Sequence, residues 1–430
     1  MNRRHFLAGV ASGGVLAATG FGVWGGRARA AEDDIPVDGL SPMTGAAQPV
    51  TQAERHARLE KARDLMDRHG QDALLIEPGA SLIYFTGIHW WRSERVTAAL
   101  ILRDGGIHVV TPAFEKPSVA ESLDVAADIH VWQEHEDPFA LIGRLLAGAG
   151  VSTGVLGIEE STRYFIVDGL RREAPAMQQI SAWPVVQGCR LFKTPAELAL
   201  MHTANAVTLK AYGHVIPRIA PGMTGGTIKA ALNRAQTALG GSAPWAMALV
   251  GRASAYPHGT NEDKPVAEGD VVLMDVGCQV HDYRSDISRT IVVGAPDEAQ
   301  QAMWRTVRQA QQLVMETARP GLPAGDLDSA VRGFYEGLGY GPGYETPGLS
   351  HRTGHGIGLE THEGIHLVKN ERRELAPGMC FSNEPGLYDF DRFGVRIEDC
   401  WTMTADGPRW FTQPPESLSD PVGTLAPMPA

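Results

Sequence analysis

Apolar and polar residues recur with two different periods along the chain. Residues 52–69 carry charges around an apolar stripe whose members lie three to four positions apart: Leu59, Ala62, Leu65 and Met66. This spacing predicts an amphipathic helix that ends at Gly70. Short apolar runs predict strands over 73–76, 81–85, 98–102, 107–110, 129–132 and 155–158, and helical stretches intervene at 114–122, 138–146 and 163–173. Strands that alternate with helices predict an α/β layer domain.

A sharper helix start opens the second half of the chain. Thr194 is a preferred N-cap residue, Pro195 suits the first helical position, and Glu197 stands three residues after the cap. We therefore predict a boundary near residues 188–193, with one domain over 51–190 and another over 194–420. A chain of 430 residues is too long for one ordinary core, which agrees with two domains.

One aromatic pair in the first domain, Trp90 and Trp91, stands out from its surroundings. Adjacent tryptophans predict packing in the core or at a domain interface, because they bury large apolar surfaces. A wall of a substrate pocket, contributed to a neighbouring subunit, is the functional alternative.

The first 30 residues follow a different pattern. A basic pair, Arg3 and Arg4, precedes an uncharged and only mildly hydrophobic stretch over 6–26, and a small-x-small cleavage site closes the segment. This order predicts a twin-arginine signal peptide over 1–30, and hence a periplasmic protein with no stable membrane anchor after cleavage. An uncleaved anchor is the alternative. Residues 31–50 are rich in proline, glycine and acidic residues and predict a flexible lead-in.

Composition and charge narrow the class of protein. With 43% hydrophobic and 20% charged residues, the chain is typical of a soluble globular protein. A formal charge of −12 and the lack of any lysine or arginine cluster argue against a nucleic-acid partner. The four cysteines are scattered, which disfavours zinc-knuckle and disulfide-framework proteins. We expect buried free thiols, with one disulfide as the alternative in an oxidising compartment.

Carboxylates stand at the ends of several apolar runs in the second half. Asp275 ends one run, and Asp286, eleven residues later, opens another, so neighbouring strands would let them converge. His355 lies in a glycine-rich segment, and Glu384 and Glu398 each end an apolar run. Unpaired carboxylates in apolar surroundings are costly unless a cation neutralises them. An oxygen-rich set with one nitrogen ligand suits Mn²⁺, Co²⁺, Fe²⁺ or Zn²⁺ in a paired site.

Five motifs extend this pattern: MDVG, SDISRT, TGHGIGLETHE, SNEPGLY and VRIED occur in this order within residues 250–400. Their order resembles that of the pita-bread metallopeptidases, which include prolidase, aminopeptidase P and methionine aminopeptidase, over about residues 195–420. The first half is similar to the creatinase/prolidase N-terminal domain, which the methionine enzymes lack. The resemblance implies an α/β creatinase/prolidase-like domain followed by an α+β pita-bread catalytic domain, and a homodimer.

The same resemblance implies a metal site. Its ligands would be Asp275, Asp286, His355, Glu384 and Glu398, and Asp286 and Glu398 would bridge two divalent ions, of which Mn²⁺ is favoured. Such a pair of ions lowers the pKa of a bound water and polarises the scissile carbonyl. Glu384 would also carry a proton beside that water.

Three further residues match supporting positions of the family. His258 matches a histidine that assists at the leaving group or the oxyanion, and His362 matches one that contacts the substrate. Arg396 matches an arginine that orients ligands and pairs with a substrate carboxylate. His351 and Tyr283 lie near the motifs in sequence without an assignable role.

The implied activity is hydrolysis of Xaa-Pro bonds in short peptides, of the dipeptidase or the aminopeptidase P type. One alternative is a non-peptidase hydrolase or lyase that acts on small molecules at the same metal site. A second is a non-catalytic binding protein, although such proteins typically lose ligands and this chain keeps the full set. The sequence leaves open the substrate length, any preference for proline, the metal, the oligomeric state and cleavage of the signal peptide.

Overall fold

The computed structural model describes residues 35–429, so the predicted signal peptide lies outside the described residues. Within 35–429, no helix is long and apolar enough to cross a membrane. All four cysteines are buried free thiols, as expected.

The first domain is a mixed six-stranded sheet with helices on both faces. Its strands are β1 (Ala73–Ile76), β2 (Ala98–Leu102), β3 (Ile107–Pro112), β4 (Asp128–Trp132), β5 (Val155–Ile158) and β6 (Gln178–Ser181), in the spatial order β4-β3-β2-β1-β5-β6. Its helices are α1 (Gln52–Arg68), α2 (Ala80–Thr86), α3 (Lys116–Ser122), α4 (Pro138–Gly148), α5 (Tyr164–Glu173) and α6 (Trp183–Arg190).

Apolar side chains of the central strand alternate between the two faces of this sheet, so each face has a hydrophobic core. Leu74 and Ile76 pack with the helices α1 and α6, whereas Ala73 and Leu75 pack with α4 and α5. Successive side chains of a strand point to opposite faces, so a continuous apolar strand is buried on both sides.

The strand predicted over residues 81–85 is wrong, because this segment is the helix α2. Gly79 stands at its N-cap, and Gly87, in the left-handed region with φ 79°, ends it. A short apolar run fits a buried helix as well as a buried strand, and periodicity alone does not separate them. The strand β6 and the helix α6 were not predicted.

The second domain places two pairs of helices against short antiparallel sheets. The helices are α7 (Pro195–Val215), α8 (Gly225–Ala238), α9 (Glu298–Thr317) and α10 (Ala324–Gly337). The strands are β7 (Ser242–Val250), β8 (Val271–Val280), β9 (Tyr283–Arg284), β10 (Ile287–Val292), β11 (Gly354–His355), β12 (His366–Leu367), β13 (Cys380–Asn383), β14 (Gly386–Tyr388), β15 (Gly394–Arg396), β16 (Asp399–Thr404), β17 (Gly407–Trp410), β18 (Thr412–Gln413) and β19 (Thr424–Leu425). Thr194 and Glu197 form the predicted capping box of α7.

Two cores divide the second domain. The helices α7 and α8 pack with β7, β8 and β10, while α9 and α10 pack with the strands β13 to β16. The strands therefore lie between the helix pairs, and polar side chains at their ends face one another inside the domain.

Residues 35–50 pack against the second domain, although a flexible lead-in was expected over 31–50. Ile35 is 5% exposed, and the amide of Met43 donates to the carbonyl oxygen of Leu239 at 2.9 Å. A few apolar anchors and backbone hydrogen bonds hold a segment that has no helix or strand of its own.

A buried ion network joins the two domains. Arg190, at the end of α6, donates to Glu363 at 2.6 Å and to Glu360 at 2.8 Å, and Lys193 donates to Glu363 at 2.7 Å. Burial alone would raise the pKa of Glu363, but Lys193 and Arg190 outweigh it and lower the pKa to about 2. We call this the interface network (Arg190, Lys193, Glu360 and Glu363).

Candidate active site

Strand ends bring four carboxylates to one cavity. Asp275 lies opposite Ser288 where β8 and β10 pair antiparallel, and Asp286 immediately precedes β10. Glu384 directly follows β13, and Glu398 lies between β15 and β16. These carboxylates line a cavity of about 750 Å³ inside the second domain. The strand pairing therefore concentrates negative charge at one point.

His355, on β11, points into the same group and is 2% exposed. Its Nε2 lies 3.4 Å from an oxygen of Asp286, 3.5 Å from Glu384 and 3.8 Å from Glu398. Its Nδ1 lies 3.1 Å from the carbonyl oxygen of Gly356, which only accepts hydrogen bonds, so Nδ1 carries the hydrogen. The lone pair of Nε2 then faces carboxylate oxygens, an arrangement that suits a cation between them.

Two glycines of the TGHGIG motif allow this placement. A Cβ at Gly354 would collide with the carbonyl oxygen of Ser382, and one at Gly356 would collide with the carbonyl oxygen of Glu363. The backbone around His355 therefore passes too close to its neighbours for any side chain at either position.

The electrostatics of the group indicate a missing positive charge. Burial, followed by repulsion from neighbouring carboxylates, raises the pKa of Asp286 and of Glu398 well above their ordinary values. Burial also raises the pKa of Glu384 to about 7, which Arg396 offsets only in part. Asp286 Oδ1 and Glu398 Oε1 are buried without a hydrogen-bond partner among the described residues. The donor set thus fits divalent cations, since buried carboxylates need a partner charge.

Arg396 is buried beside these carboxylates, and its guanidinium makes four hydrogen bonds. Nη2 donates to Asp275 at 2.7 Å, and Nε donates to Ser288 at 2.8 Å. Nη1 donates to the carbonyl oxygen of Pro257 at 3.1 Å and to the hydroxyl of Tyr388 at 3.3 Å. The predicted orienting role agrees with these contacts. These four hydrogen bonds use all but one of the five N–H groups of Arg396, and its predicted pairing with a substrate carboxylate stays a prediction.

The two supporting histidines line the cavity beside the carboxylates. His258 and His362 both border it, and the rings of His362 and His355 meet edge to face with centroids 4.3 Å apart. Trp245 and Met247, from β7, contribute apolar wall surface. The cavity therefore presents a charged floor, two imidazoles and an apolar side.

Comparison with known proteins identifies the chain. Residues 199–405 match the metallopeptidase family M24, and residues 58–192 match the creatinase/prolidase N-terminal domain. An Xaa-Pro dipeptidase of Lactobacillus helveticus is 30% identical over 367 residues, which cover 84% of this chain and 98% of the relative. The chain belongs to metallopeptidase family M24.

Solved structures agree with this assignment. The dipeptidase PepE from Mycobacterium ulcerans superposes with a TM-score of 0.79 at 28% identity, covering 86% of this chain and 98% of that one. An Xaa-Pro dipeptidase from Bacillus anthracis gives a TM-score of 0.74 at 27% identity, covering 84% and 99%. The predicted fold class, a creatinase/prolidase-like domain before a pita-bread domain, is confirmed. The M24 chain is a metallopeptidase, which excludes the non-catalytic alternative.

Sequence reasoning missed one arginine of the M24 site. Arg352 lines the cavity beside His351 and is half-buried. Its guanidinium makes no hydrogen bond or ion pair with any residue in the part of the chain that the structure describes. Its position directly before the TGHGIG motif was the available signal, but nothing in the sequence shows which way the side chain faces.

His351 and Tyr388 form a pair beneath the M24 site. His351 Nε2 lies 2.7 Å from the Tyr388 hydroxyl, and its Nδ1 lies 2.7 Å from the carbonyl oxygen of Arg352. Burial, with Arg396 next in effect, lowers the pKa of His351 to about 3, so this imidazole stays neutral. It supports the hydroxyl that also accepts from Arg396.

Tyr283, near the motifs in sequence, lies at the domain interface instead. Its hydroxyl accepts from Arg58 Nη2 at 2.9 Å, and Arg58 also donates to Glu197 at 3.0 Å. Trp90 packs on the core and stacks on Trp91 with centroids 4.6 Å apart, whereas Trp91 itself is 63% exposed.

Proposed function

We propose that this M24 metallopeptidase hydrolyses Xaa-Pro bonds of short peptides with two divalent ions held by Asp275, Asp286, His355, Glu384 and Glu398. The observation that carries the proposal is the charge imbalance of the cavity. Of the four buried or half-buried carboxylates, only Asp275 is in a salt bridge with an arginine at hydrogen-bond distance, Arg396, and Asp286 and Glu398 keep oxygens without a hydrogen-bond partner among the described residues. Two divalent ions reverse this excess of negative charge, and relatives named Xaa-Pro dipeptidase support the substrate class.

The donor set favours Mn²⁺ in this proposal, with Co²⁺, Zn²⁺ and Fe²⁺ as alternatives. Harder divalent cations prefer oxygen and imidazole ligands to thiolates, and this set has four carboxylates and one imidazole. By the resemblance to the pita-bread metallopeptidases, Asp286 and Glu398 would be the ligands that the two ions share, and His355 Nε2 lies 3.4 Å and 3.8 Å from their oxygens. When bound, the ions activate a water as nucleophile and polarise the scissile carbonyl.

The chain's own residues handle the proton and the substrate. Glu384, within 3.5 Å of His355, takes the proton that the attacking water gives up and passes it to the departing proline nitrogen. His258 donates to the developing oxyanion, and His362 holds the substrate backbone from the cavity wall. Arg396 keeps Asp275 oriented through its 2.7 Å hydrogen bond.

Arg352 favours dipeptidase action over aminopeptidase action. Arg396 already makes four hydrogen bonds and has one N–H group left, whereas the guanidinium of Arg352 lines the same cavity without a hydrogen-bonded partner in the described chain. A dipeptide brings its C-terminal carboxylate close to the scissile bond, where a free guanidinium pairs with it. We propose that Arg352 captures this carboxylate.

The test compares substrates that differ in that charge. The protein, reloaded with Mn²⁺, is given Ala-Pro, Ala-Pro amide and Ala-Pro-Ala, and free alanine is measured. A charge-assisted hydrogen bond of about 1.5–3 kcal/mol predicts a kcat/KM roughly tenfold or more higher for Ala-Pro than for its amide. Arg352→Gln should remove this difference, and Arg373→Gln, an exposed arginine outside the cavity, should keep it.

Other outcomes redirect the proposal. Cleavage of Ala-Pro-Ala without cleavage of the dipeptide would make the protein an aminopeptidase of the P type. Metal uptake without release of alanine from any peptide would contradict the proposed peptide substrate and favour a small-molecule substrate at the same site.

We also propose export and dimerisation. The predicted twin-arginine signal supports a periplasmic location, and the exposed Trp91 supports a homodimer, because large aromatic side chains are enriched at interfaces. Cell fractionation of the wild type and of an Arg3→Lys, Arg4→Lys variant tests the first, and retention of the variant in the cytoplasm is expected. Light scattering of wild type and Trp91→Ala tests the second.

A further inference from the structure

Two histidines and an aspartate meet on the N-terminal sheet, outside the catalytic cavity. β3 and β4 pair in parallel, with His108 opposite Asp128 and Val110 opposite His130. Residues two apart on a strand share a face, and paired residues face the same side, so the three polar side chains project from one face of the sheet. We call them the sheet triad (His108, Asp128 and His130).

The distances within the sheet triad are those of a metal site. His108 Nδ1 lies 3.0 Å from His130 Nε2 and 3.9 Å from a carboxylate oxygen of Asp128. One ligand atom from each residue lies within 4.8 Å of the others. Ligand atoms bound tetrahedrally at about 2.0–2.1 Å from an ion stand roughly 3.3 Å apart, so the two histidine nitrogens would separate slightly and the exposed Asp128 carboxylate would move closer to His108 by about 0.6 Å.

Access and protonation also suit an ion. β4 is the edge strand of the sheet, the Asp128 side chain is 79% exposed, and a cavity of about 420 Å³ borders His108. Solvent therefore reaches the Asp128 carboxylate, and open space adjoins His108. Burial, and then His108, lowers the pKa of His130, so its imidazole is neutral at pH 7 and able to coordinate. Lys116 is a nearby cation that Asp128 counterbalances.

We propose that the sheet triad is a second, independent metal site that takes one borderline divalent ion, Zn²⁺, Ni²⁺ or Cu²⁺. Two imidazole nitrogens and one carboxylate form a nitrogen-rich set, in contrast to the oxygen-rich catalytic set. The alternative role of the histidines is a neutral His–His hydrogen bond beside a solvated acid, which would bind no ion.

The experiment counts ions on the full chain. Wild type, His108→Gln and His130→Gln are stripped, dialysed against micromolar free Zn²⁺, and the bound zinc per chain is measured. Each variant should hold one ion fewer than the wild type and keep wild-type peptidase activity when reloaded with Mn²⁺. His135→Gln, an exposed histidine of the same domain, is the matched control and should bind as many ions as wild type.

Two further variants keep the result decisive. Asp286→Asn should lose catalytic ions and retain the triad ion, which separates this inference from the proposed catalytic function. Asp128→Asn changes an exposed side chain that does not support the fold, and it should weaken zinc binding at least tenfold at the triad. Electron paramagnetic resonance of the Cu²⁺ form of Asp286→Asn should show two nitrogen ligands. Equal zinc counts in wild type, His108→Gln and His130→Gln would overturn the proposal.

Discussion

Two groups of buried charged residues in this protein differ in how far their negative charges are neutralised by nearby positive ones. In the interface network, Glu363 is 5% exposed and is held by Arg190 and Lys193, and its pKa falls to about 2. In the carboxylate group of the cavity (Asp275, Asp286, Glu384 and Glu398), Glu398 is 1% exposed among other carboxylates, and its pKa rises well above the ordinary value. Both glutamates are buried to a similar degree. The sign of the shift therefore reports the neighbouring charges and not burial, which alone raises both pKa values.

This difference separates a structural role from a functional one. A buried carboxylate with cations at hydrogen-bond distance is already neutralised by them and stabilises the fold. A buried carboxylate among others is destabilising until a ligand supplies positive charge, which is the condition for binding ions tightly. The same chemical change at Glu398 and at Glu363 should consequently have opposite effects.

The largest effect is expected from Glu398→Gln. Loss of this ligand should remove metal binding, and with it several kcal/mol of transition-state stabilisation, so kcat/KM should fall roughly a thousandfold or more. The metal-free variant should be at least as stable as the metal-free wild type, because one of the crowded charges is gone. Peptidase assays and chemical denaturation in a chelator measure the two quantities. A metal-free variant much less stable than wild type would show that Glu398 is a structural residue.

Glu363→Gln should act mainly on stability. It leaves Arg190 and Lys193 buried with a neutral partner, and breaking a buried ion pair costs about 3–5 kcal/mol. Metal content per folded chain should stay at the wild-type level, and activity should change far less than in Glu398→Gln. The free energy of unfolding from urea titration and metal analysis provide the check. Unchanged stability would remove the proposed distinction between the two groups.

In the metal-free chain, lowering the pH should destabilise the interface network and stabilise the carboxylate group of the cavity, because their pKa shifts have opposite directions. The pKa of Glu363 is about 2 against an ordinary 4.5, so its stabilisation, about 3 kcal/mol, is complete above pH 4.5 and is lost as pH falls toward 2. The stability gap between wild type and Glu363→Gln should therefore shrink over that window.

The raised pKa values of the catalytic carboxylates work the other way. Glu384, with a pKa of about 7, takes up a proton in the folded protein before the unfolded chain does, so acidification from pH 7 toward 4.5 relieves its repulsion. Metal-free wild type should gain stability relative to Glu398→Gln over this range. Urea titrations at a series of pH values measure both gaps, and parallel pH curves for all three proteins would contradict the assignment.

Helices and strands were predictable where the spacing of apolar residues and the capping residues specify them within a few positions. The capping box at Thr194 and Glu197, the strands β1, β2 and β5, and the helices α1, α4 and α5 follow from spacing and capping residues within a few positions. The segment 81–85 was mispredicted because a short apolar run carries no period that separates helix from strand.

At the catalytic site, the motifs named the candidate ligands but not the surroundings that decide their roles. That Arg396 makes four hydrogen bonds and the guanidinium of Arg352 makes none with a described residue depends on which side chains meet across β8, β10, β13 and β15. Tyr283 likewise stands close to Asp286 in sequence yet bonds with Arg58 of the other domain.

The sequence by itself determined the domain type, the order of the candidate acidic and histidine ligands, and the helix starts, because these depend on residue type and on neighbours in the chain. Only the tertiary structure decided which buried charges are paired, which arginine of the cavity lacks a hydrogen-bond partner among the described residues, and that His108 meets His130 across two strands. These depend on contacts between residues far apart in sequence. The pKa of a buried group follows from the charges that the fold places around it, and residue type alone does not specify them.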